Sequence, residues 1–147
     1  MTKFARHSSF PGTAALESLR LRTPRHRSGN LREDLIEELS LFRSGALRAN
    51  GMTLLGAVLV EQHENPGFLK LFRKHVVEPR RQNLRSILSA AVQAGQVDPD
   101  ADVEVAITMM IGSLYAAYMA GTKTGRDWPE RVVDAWLRNN ELRQNSR

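Results

Sequence analysis

The sequence predicts an all-α protein, a helical bundle of about five to six helices with a long, kinked central helix. Apolar residues recur at helical spacing over nearly all of the chain after residue 29. No segment there alternates between apolar and polar residues, and no hairpin dipeptide separates two β-branched runs. With 147 residues, of which 41% are hydrophobic, the chain is long enough for one domain with a sizeable core.

The charge distribution divides the chain. Residues 1–29 contain six basic residues and one acidic residue, whereas residues 30–147 contain fifteen of each, so the leading segment carries the whole net charge of +5. We therefore expect a basic leader or linker over 1–29, partly disordered and with a short helix near 13–22. A helical domain over 30–142 and a frayed tail at 143–147 should follow. The neutral body is not typical of a general nucleic-acid-binding surface.

Capping residues predict where the helices begin and end. Asn30, with Glu33 three residues later, forms a capping box for the first helix, and Asn50-Gly51 is expected to end that helix. Asp98 is expected to cap the helix over about 101–120. Asp127 should cap the last helix, over about 128–141.

One long apolar pattern predicts the central helix. It runs from Phe68 to a stop at Gly95, a length of about 28 residues. Pro79 lies inside this pattern, where it removes one backbone hydrogen bond and clashes with the preceding turn. We therefore expect a kink or break near His75–Glu78.

The helix over about 101–120 is apolar on two opposite faces. Val103, Ile107 and Met110 fall on one side, and residues such as Val105 and Met109 fall nearly opposite. One face can pack on the chain's own core. The other must be covered by a second copy of the chain or by further elements of the same domain. The final helix adds apolar surface, and the expected dimer interface is Val105, Met109, Gly112, Ala116, Met119, Val133, Trp136 and Leu137.

This helix is too short to be a membrane span. Its uncharged run from Val105 to Gly121 has 17 residues, whereas a span needs about 20 apolar residues. We therefore expect no membrane partner. The N-terminus lacks the unbroken apolar stretch of a secretory signal, and the chain has no cysteine, which fits a cytoplasmic protein.

Nine residues are candidates for lining an apolar ligand pocket. Methionine and aromatic side chains suit adaptable apolar cavities, although the same residues would also fill a solid core. The candidates are Phe42, Leu55, Leu59, His63, Phe72, Val76, Met109, Met110 and Tyr115.

The motifs of catalysis are missing from the sequence. It contains no H-E-x-x-H, G-x-S-x-G, phosphate-binding P-loop or G-x-G-x-x-G pattern, so we expect no enzyme, cofactor or metal. Glu33, Glu37 and Glu38 have the spacing of a solvated first-turn face. The weak alternative is a small helical enzyme or metal site that uses Glu61, His63 and Glu64.

Several segments together resemble the C-terminal regulatory domain of TetR-family transcriptional repressors. They are NLREDLIEEL from Asn30, the long segment from Asn65 to Gly121, and ERVVDAWLRN from Glu130. Within the long segment, the V-x-P-R-R run at Val77–Arg81 and the G-x-V-x-P-D-A-D run at Gly95–Asp102 look much like that family. The resemblance covers about residues 30–142, and the order and spacing of the motifs are more specific than any one of them.

The resemblance implies a homodimer formed through the last two helices, about 101–120 and 128–141. It also implies a pocket for a small, often apolar effector among the preceding helices. Effector binding in such proteins shifts the spacing of two DNA-reading heads. Each head is a helix-turn-helix of about 50 residues, and residues 1–29 are too few to form one. DNA binding is therefore expected only through a head that is missing from this chain. The alternative is a stand-alone α-helical dimerisation module without DNA-binding activity.

Overall fold

A computed structural model describes residues 27–48 and 50–142. The described residues form six α-helices and one π-helical segment, and their β pairing is limited to an isolated bridge between Val97 and Glu141. This confirms the all-α prediction. The predicted helix near 13–22 and the predicted tail at 143–147 lie outside the described residues. The elements are α1 (Leu31–Ala46), α2 (Gly51–Glu61), α3 (Pro66–Phe72), the π segment (Arg73–Val77), α4 (Glu78–Gln93), α5 (Val103–Met119) and α6 (Trp128–Asn140).

The predicted cap of α1 is present, but the helix ends earlier than expected. The Asn30 side chain accepts a hydrogen bond from the Glu33 backbone N–H at 3.1 Å. The last α-helical residue is Ala46, and Asn50 is the residue that precedes α2. The prediction that Asn50-Gly51 ends α1 is therefore wrong. Gly51 has no positive φ and starts the next helix instead, so its lack of a side chain serves close packing rather than a left-handed turn.

Two acidic caps also differ from the prediction. Asp102, not Asp98, caps α5, because its side chain accepts from the Val105 N–H at 3.0 Å. The Asp98 side chain accepts from the Asp100 N–H and closes the turn before the helix. Asp127 precedes α6 without a capping hydrogen bond from its side chain. Its backbone is already helical, whereas a capping residue is normally extended so that its side chain reaches the first turn.

The central helix runs without a gap, but its regular α-helical hydrogen bonding is interrupted in the predicted place. The α3 helix, the π segment and α4 follow one another without a gap from Pro66 to Gln93. The Glu78 N–H donates to the Arg73 carbonyl, five residues back, instead of four. Pro79 has no N–H to donate, and in a regular helix its ring would clash with the His75 carbonyl. The wider π turn lies where that clash would occur, so the helix continues past the proline.

The buried side chains form two separate clusters. The main cluster joins α1, α4, α5 and α6, which pack against one another as a bundle. The small cluster joins α2 and α3 around Val58, Phe68 and Phe72. The π segment in the central helix separates α3, which packs in the small cluster, from α4, which packs in the main cluster. The main cluster consists of Leu35, Leu39, Phe42, Leu84, Ile87, Leu88, Ala106, Ile107, Met110, Leu114, Trp128, Val133 and Leu137.

The two faces of α5 have different environments. Ile107, Met110 and Leu114 are buried in the main cluster. Met109 and Met119 on the opposite face are 61% and 82% exposed. Within the described part of the chain, no helix is both long enough and apolar enough to cross a membrane.

Two glycines of α2 provide a matched stability test. A Cβ at Gly51 would overlap the Ala46 carbonyl oxygen and lie 2.6 Å from that of Gly45, whereas a Cβ at Gly56 meets nothing within 4 Å. We expect Gly51→Ala to destabilise the protein by about 1–3 kcal/mol, because backbone atoms must move apart. Gly56→Ala should stabilise it by about 0.5–1 kcal/mol. Urea unfolding of both variants measures the difference, and equal stability would contradict the close approach of α1 and α2.

Candidate functional site

A cavity of about 190 Å³ lies between the two clusters. The main cluster and the residues packed on it contribute Phe42, Ala46, Ile111 and Tyr115 to its wall. The opposite wall comes from α2, from the end of α3 and from the π segment. The Phe42 and Tyr115 rings meet edge to face, with their centroids 5.6 Å apart. The apolar residues of the opposite wall are Met52, Leu54, Leu55, Phe72, Val76 and Val77.

The cavity brings together five of the nine predicted pocket residues, namely Phe42, Leu55, Phe72, Val76 and Tyr115. The other four do not line it. Leu59 is 51% exposed on α2, and His63 is exposed in the turn that follows. Met109 lies on the outer face of α5, and Met110 is buried within the main cluster. A helix turns its successive residues to different sides, so Ile111 and Tyr115, four apart, face the cavity from α5 while Met109 and Met110 do not.

Three arginines that line the cavity were not predicted from the sequence. They are Arg48, Arg80 and Arg81. Helical spacing could have indicated Arg80, since it follows Val76 by four residues and therefore lies on the same side of the helix. Its burial could not be read from the sequence, because arginine is rarely buried without a partner and the partner lies 42 residues away.

Arg80 forms a buried ion pair with Glu38 of α1. Its Nη1 donates to the Glu38 side chain at 2.8 Å and to the Glu38 carbonyl at 3.1 Å. Asn83 donates to the same carboxylate oxygen at 3.2 Å. The expectation that Glu38 lies on a solvated face is therefore wrong. Glu38 is fully buried because it follows Leu35 by three residues and precedes Phe42 by four, which puts it on the core side of α1.

The ion pair leaves polar atoms without partners. Nε and Nη2 of Arg80 and Oε2 of Glu38 are buried and have no hydrogen-bond partner among residues 27–48 and 50–142. Burial lowers the pKa of Arg80 to about 10 although Glu38 opposes the shift. The guanidinium therefore stays charged at neutral pH. Its central carbon lies 5.5 Å from the centre of the Phe42 ring, close enough for a cation–π contact.

The outer face of α5 carries most of the predicted dimer residues. Val105, Met109, Ala116 and Met119 are exposed there, and a Cβ at Gly112 would meet nothing within 4 Å. The predicted residues of α6 lie elsewhere. Val133 and Leu137 are buried in the main cluster, and Trp136 packs against that cluster while remaining partly exposed. The apolar face of α6 therefore serves the chain's own core.

Comparison with known families identifies the fold. Residues 26–136 match the family model of the tetracyclin repressor-like, C-terminal domain. The chain belongs to this family. It is thus an all-α regulatory domain of the TetR type, as the sequence resemblance implied.

The TetR-type domain also has a structural neighbour. The crystal structure of the TetR family transcription regulator SCO0332 matches it with a TM-score of 0.68 and 22% sequence identity, covering 85% of this chain and 68% of that one. At this identity, the likeness supports the fold alone. No curated protein sequence matches the chain.

A second set of ion pairs connects the cavity wall of this TetR-type domain to α5. Arg81 lines the cavity and also donates to the Glu104 carboxylate at 2.8 Å and to the Thr108 hydroxyl at 3.2 Å. Arg85 contacts the same carboxylate. Hydrogen bonds from the two arginines lower the pKa of Glu104 to about 2, so the carboxylate is ionised at neutral pH. Arg81, the residue after Arg80, therefore connects α4 to the start of α5.

The alternative metal site at Glu61, His63 and Glu64 finds no support in the geometry. In the described ranges, no three histidine, aspartate or glutamate side chains lie close enough together to hold a metal ion. His63 and Glu64 are exposed in the turn that follows α2.

The buried ion pair predicts a large effect of a small substitution. Glu38→Gln keeps the side-chain shape but leaves the Arg80 charge without its counter-ion. We expect a loss of about 3–5 kcal/mol in the free energy of unfolding. Asp134→Asn is the control. It breaks the exposed ion pair between Asp134 of α6 and Arg32 of α1, whose side chains meet at 2.7 Å, and exposed ion pairs contribute little to stability. Chemical denaturation of both variants tests this, and similar small losses would show that the Glu38–Arg80 pair does not stabilise the fold.

Proposed function

We propose that this chain is the effector-binding and homodimerisation domain of a TetR-like transcriptional regulator. A small molecule in the cavity would control DNA binding by a helix-turn-helix head outside this sequence. The observation that carries the proposal is the apolar cavity between the two clusters. Its walls come from α1 and α5 on one side and from α2, α3 and the π segment on the other, so a ligand there would contact both parts of the domain.

The volume of the cavity limits the size of the effector. Apolar cavities of about 150 Å³ accept benzene, and this one measures about 190 Å³. The matching ligand is therefore about one ring with a small substituent. The aromatic side chains in the wall, Phe42, Phe72 and Tyr115, favour a planar apolar body that can stack or make edge-to-face contacts.

The outer face of α5 is the proposed dimer surface. Its exposed apolar residues follow one another along the helix, and the absence of a side chain at Gly112 permits a second helix to approach closely. In a two-fold symmetric pair, the same face of the partner's α5 would cover this one. The contribution of α6 is proposed to be limited to the exposed part of Trp136.

The proposed coupling runs through α5. Ile111 and Tyr115 line the cavity from one side of this helix, while Gly112 and Ala116 lie on the side proposed to meet the partner. A ligand that favours one position of α5 over another would also favour one arrangement of the dimer. Such a ligand shifts the population by no more than its difference in affinity for the two arrangements.

The dimer surface predicts a charge-sensitive association. We expect Met109→Glu to convert a dimer at micromolar concentration into a monomer, because two carboxylates would be buried against an apolar face. Val60→Glu is the matched control, since Val60 is an exposed apolar residue of α2, 77% exposed, away from that face. Sedimentation velocity measures both. A wild-type chain that is monomeric at this concentration, or a dimer that tolerates Met109→Glu, contradicts the proposal.

The cavity predicts a second pair of variants. Leu55 lines the cavity, whereas Leu59, one turn later in α2, does not. We expect Leu55→Trp to fill the space and abolish binding of toluene, and Leu59→Trp to leave it unchanged. Chemical shifts of backbone amides, followed during titration with toluene, provide the measurement. Equal binding by the two variants would place the ligand outside this cavity, and a dimer without any binding would favour the stand-alone dimerisation module.

A further inference from the structure

The charged side chains in the cavity wall are all basic, although most of the wall is apolar. Three arginines line it, and no aspartate or glutamate does so among the described residues. Arg81 is paired with Glu104, and Arg80 is paired through one nitrogen with Glu38. Arg48 is exposed, and its guanidinium has no hydrogen-bond or ion-pair partner in the part of the chain that the structure describes. A cationic ligand would therefore meet like charges in this cavity, and an anionic ligand would meet opposite ones.

Arg80 supplies donors as well as charge. The residue is only 2% exposed, and its Nε and Nη2 have no acceptor among residues 27–48 and 50–142. Such buried donors are costly when unpaired, and the guanidinium fork matches a carboxylate in shape. Glu38 occupies Nη1 alone, so Nε and Nη2 have no acceptor. Both atoms are enclosed, and the Arg80 guanidinium must turn toward the cavity that it lines before this edge can pair with a second carboxylate side by side.

We propose that the effector is a small aromatic or similarly apolar acid, whose carboxylate pairs with Nε and Nη2 of Arg80 while its apolar body lies among Phe42, Leu55 and Phe72. This inference rests on the proposed effector function and adds the chemical class of the ligand. The unpaired Oε2 of Glu38 does not favour a cation instead, since Glu38 does not line the cavity.

The polar group of Tyr115 supports the same assignment. Tyr115 lines the cavity, and the positive charge of Arg80 interacts electrostatically with its hydroxyl. Burial raises the pKa of Tyr115, so the hydroxyl keeps its proton at neutral pH and can donate it to a carboxylate. Arg80 and Tyr115, two residues with hydrogen-bond donors, thus line the same cavity from two different helices, α4 and α5.

The test compares three probes with one apolar body: 4-ethylbenzoate, 4-ethylbenzyl alcohol and 4-ethylbenzylamine. Their affinities for the full chain are measured by isothermal titration calorimetry at neutral pH. We expect 4-ethylbenzoate to bind about tenfold or more tightly than the alcohol, because charge-assisted hydrogen bonds are stronger than neutral ones. The amine should bind least. Equal or tighter binding of the alcohol or the amine overturns the inference and leaves the effector function standing.

Variants of Arg80 locate the selectivity. The double variant Glu38→Gln/Arg80→Gln removes both charges of the pair together, so neither is left buried alone. Arg80→Lys keeps the charge opposite Glu38 but loses the fork. In both, the preference for 4-ethylbenzoate over the alcohol should shrink to about threefold or less, with the affinity for the alcohol nearly unchanged. Arg32→Gln removes an exposed positive charge elsewhere on α1 and should keep the wild-type preference.

The remaining outcomes separate the two proposals. If the preference for the carboxylate persists in both Arg80 variants, Arg80 is not its binding partner, and the inference is wrong. If none of the three probes binds the wild-type chain at millimolar concentration and toluene does not bind either, the effector function itself fails. Circular dichroism and thermal unfolding of each variant establish that it is folded before binding is compared.

Discussion

The buried pair of Glu38 and Arg80 is the interaction on which the arrangement of the domain depends. It joins α1 to the first turn of α4, directly after the π segment and next to the cavity. Removing two charges from water has a high cost, and a hydrophobic pair of the same size is often as stable. A hydrogen-bonded ion pair tolerates a narrower range of distances and angles between its two helices than a hydrophobic contact does. The pair therefore fixes α4 against α1 at the point where the main cluster ends.

The break in the central helix explains why there is a cavity at that point. Residues before Arg73 pack on α2, and residues after Val77 pack on α1 and α5. A regular helix would bring both halves onto one continuous stripe, which would favour a single core. The π turn rotates one half relative to the other, so the two clusters remain separate. The side chains of Val76 and Val77 then line the space between them rather than filling it.

The sequence was sufficient to predict most of the fold, but only five of the fifteen residues that line the cavity. Periodicity and Pro79 sufficed to predict the kinked central helix, because the causes are local. The two apolar faces of α5 could also be predicted from the sequence, since adjacent residues such as Met109 and Met110 are separated by about 100° on any α-helix. Long-range pairing was not readable. Glu38 looked like part of an exposed acidic turn, and only its contact with Arg80 makes its burial possible. The lining residues that were not predicted include all three arginines, but also apolar residues such as Met52, Leu54 and Ile111.

Two adjacent arginines of α4 connect the cavity to both α1 and α5. Arg80 and Arg81 are neighbours in the chain, yet one pairs with α1 and the other with the start of α5. Adjacent residues of a helix point about 100° apart, so one turn of α4 contacts both helices. A ligand carboxylate that draws the Arg80 guanidinium toward the cavity would act on the turn of α4 that also contains Arg81. Arg81 in turn forms the ion pair with Glu104 of α5. Any resulting movement of α4 would reach α5 through this ion pair as well as through the apolar core that the two helices share. Since Glu104 remains ionised, this connection would persist over the whole range of physiological pH.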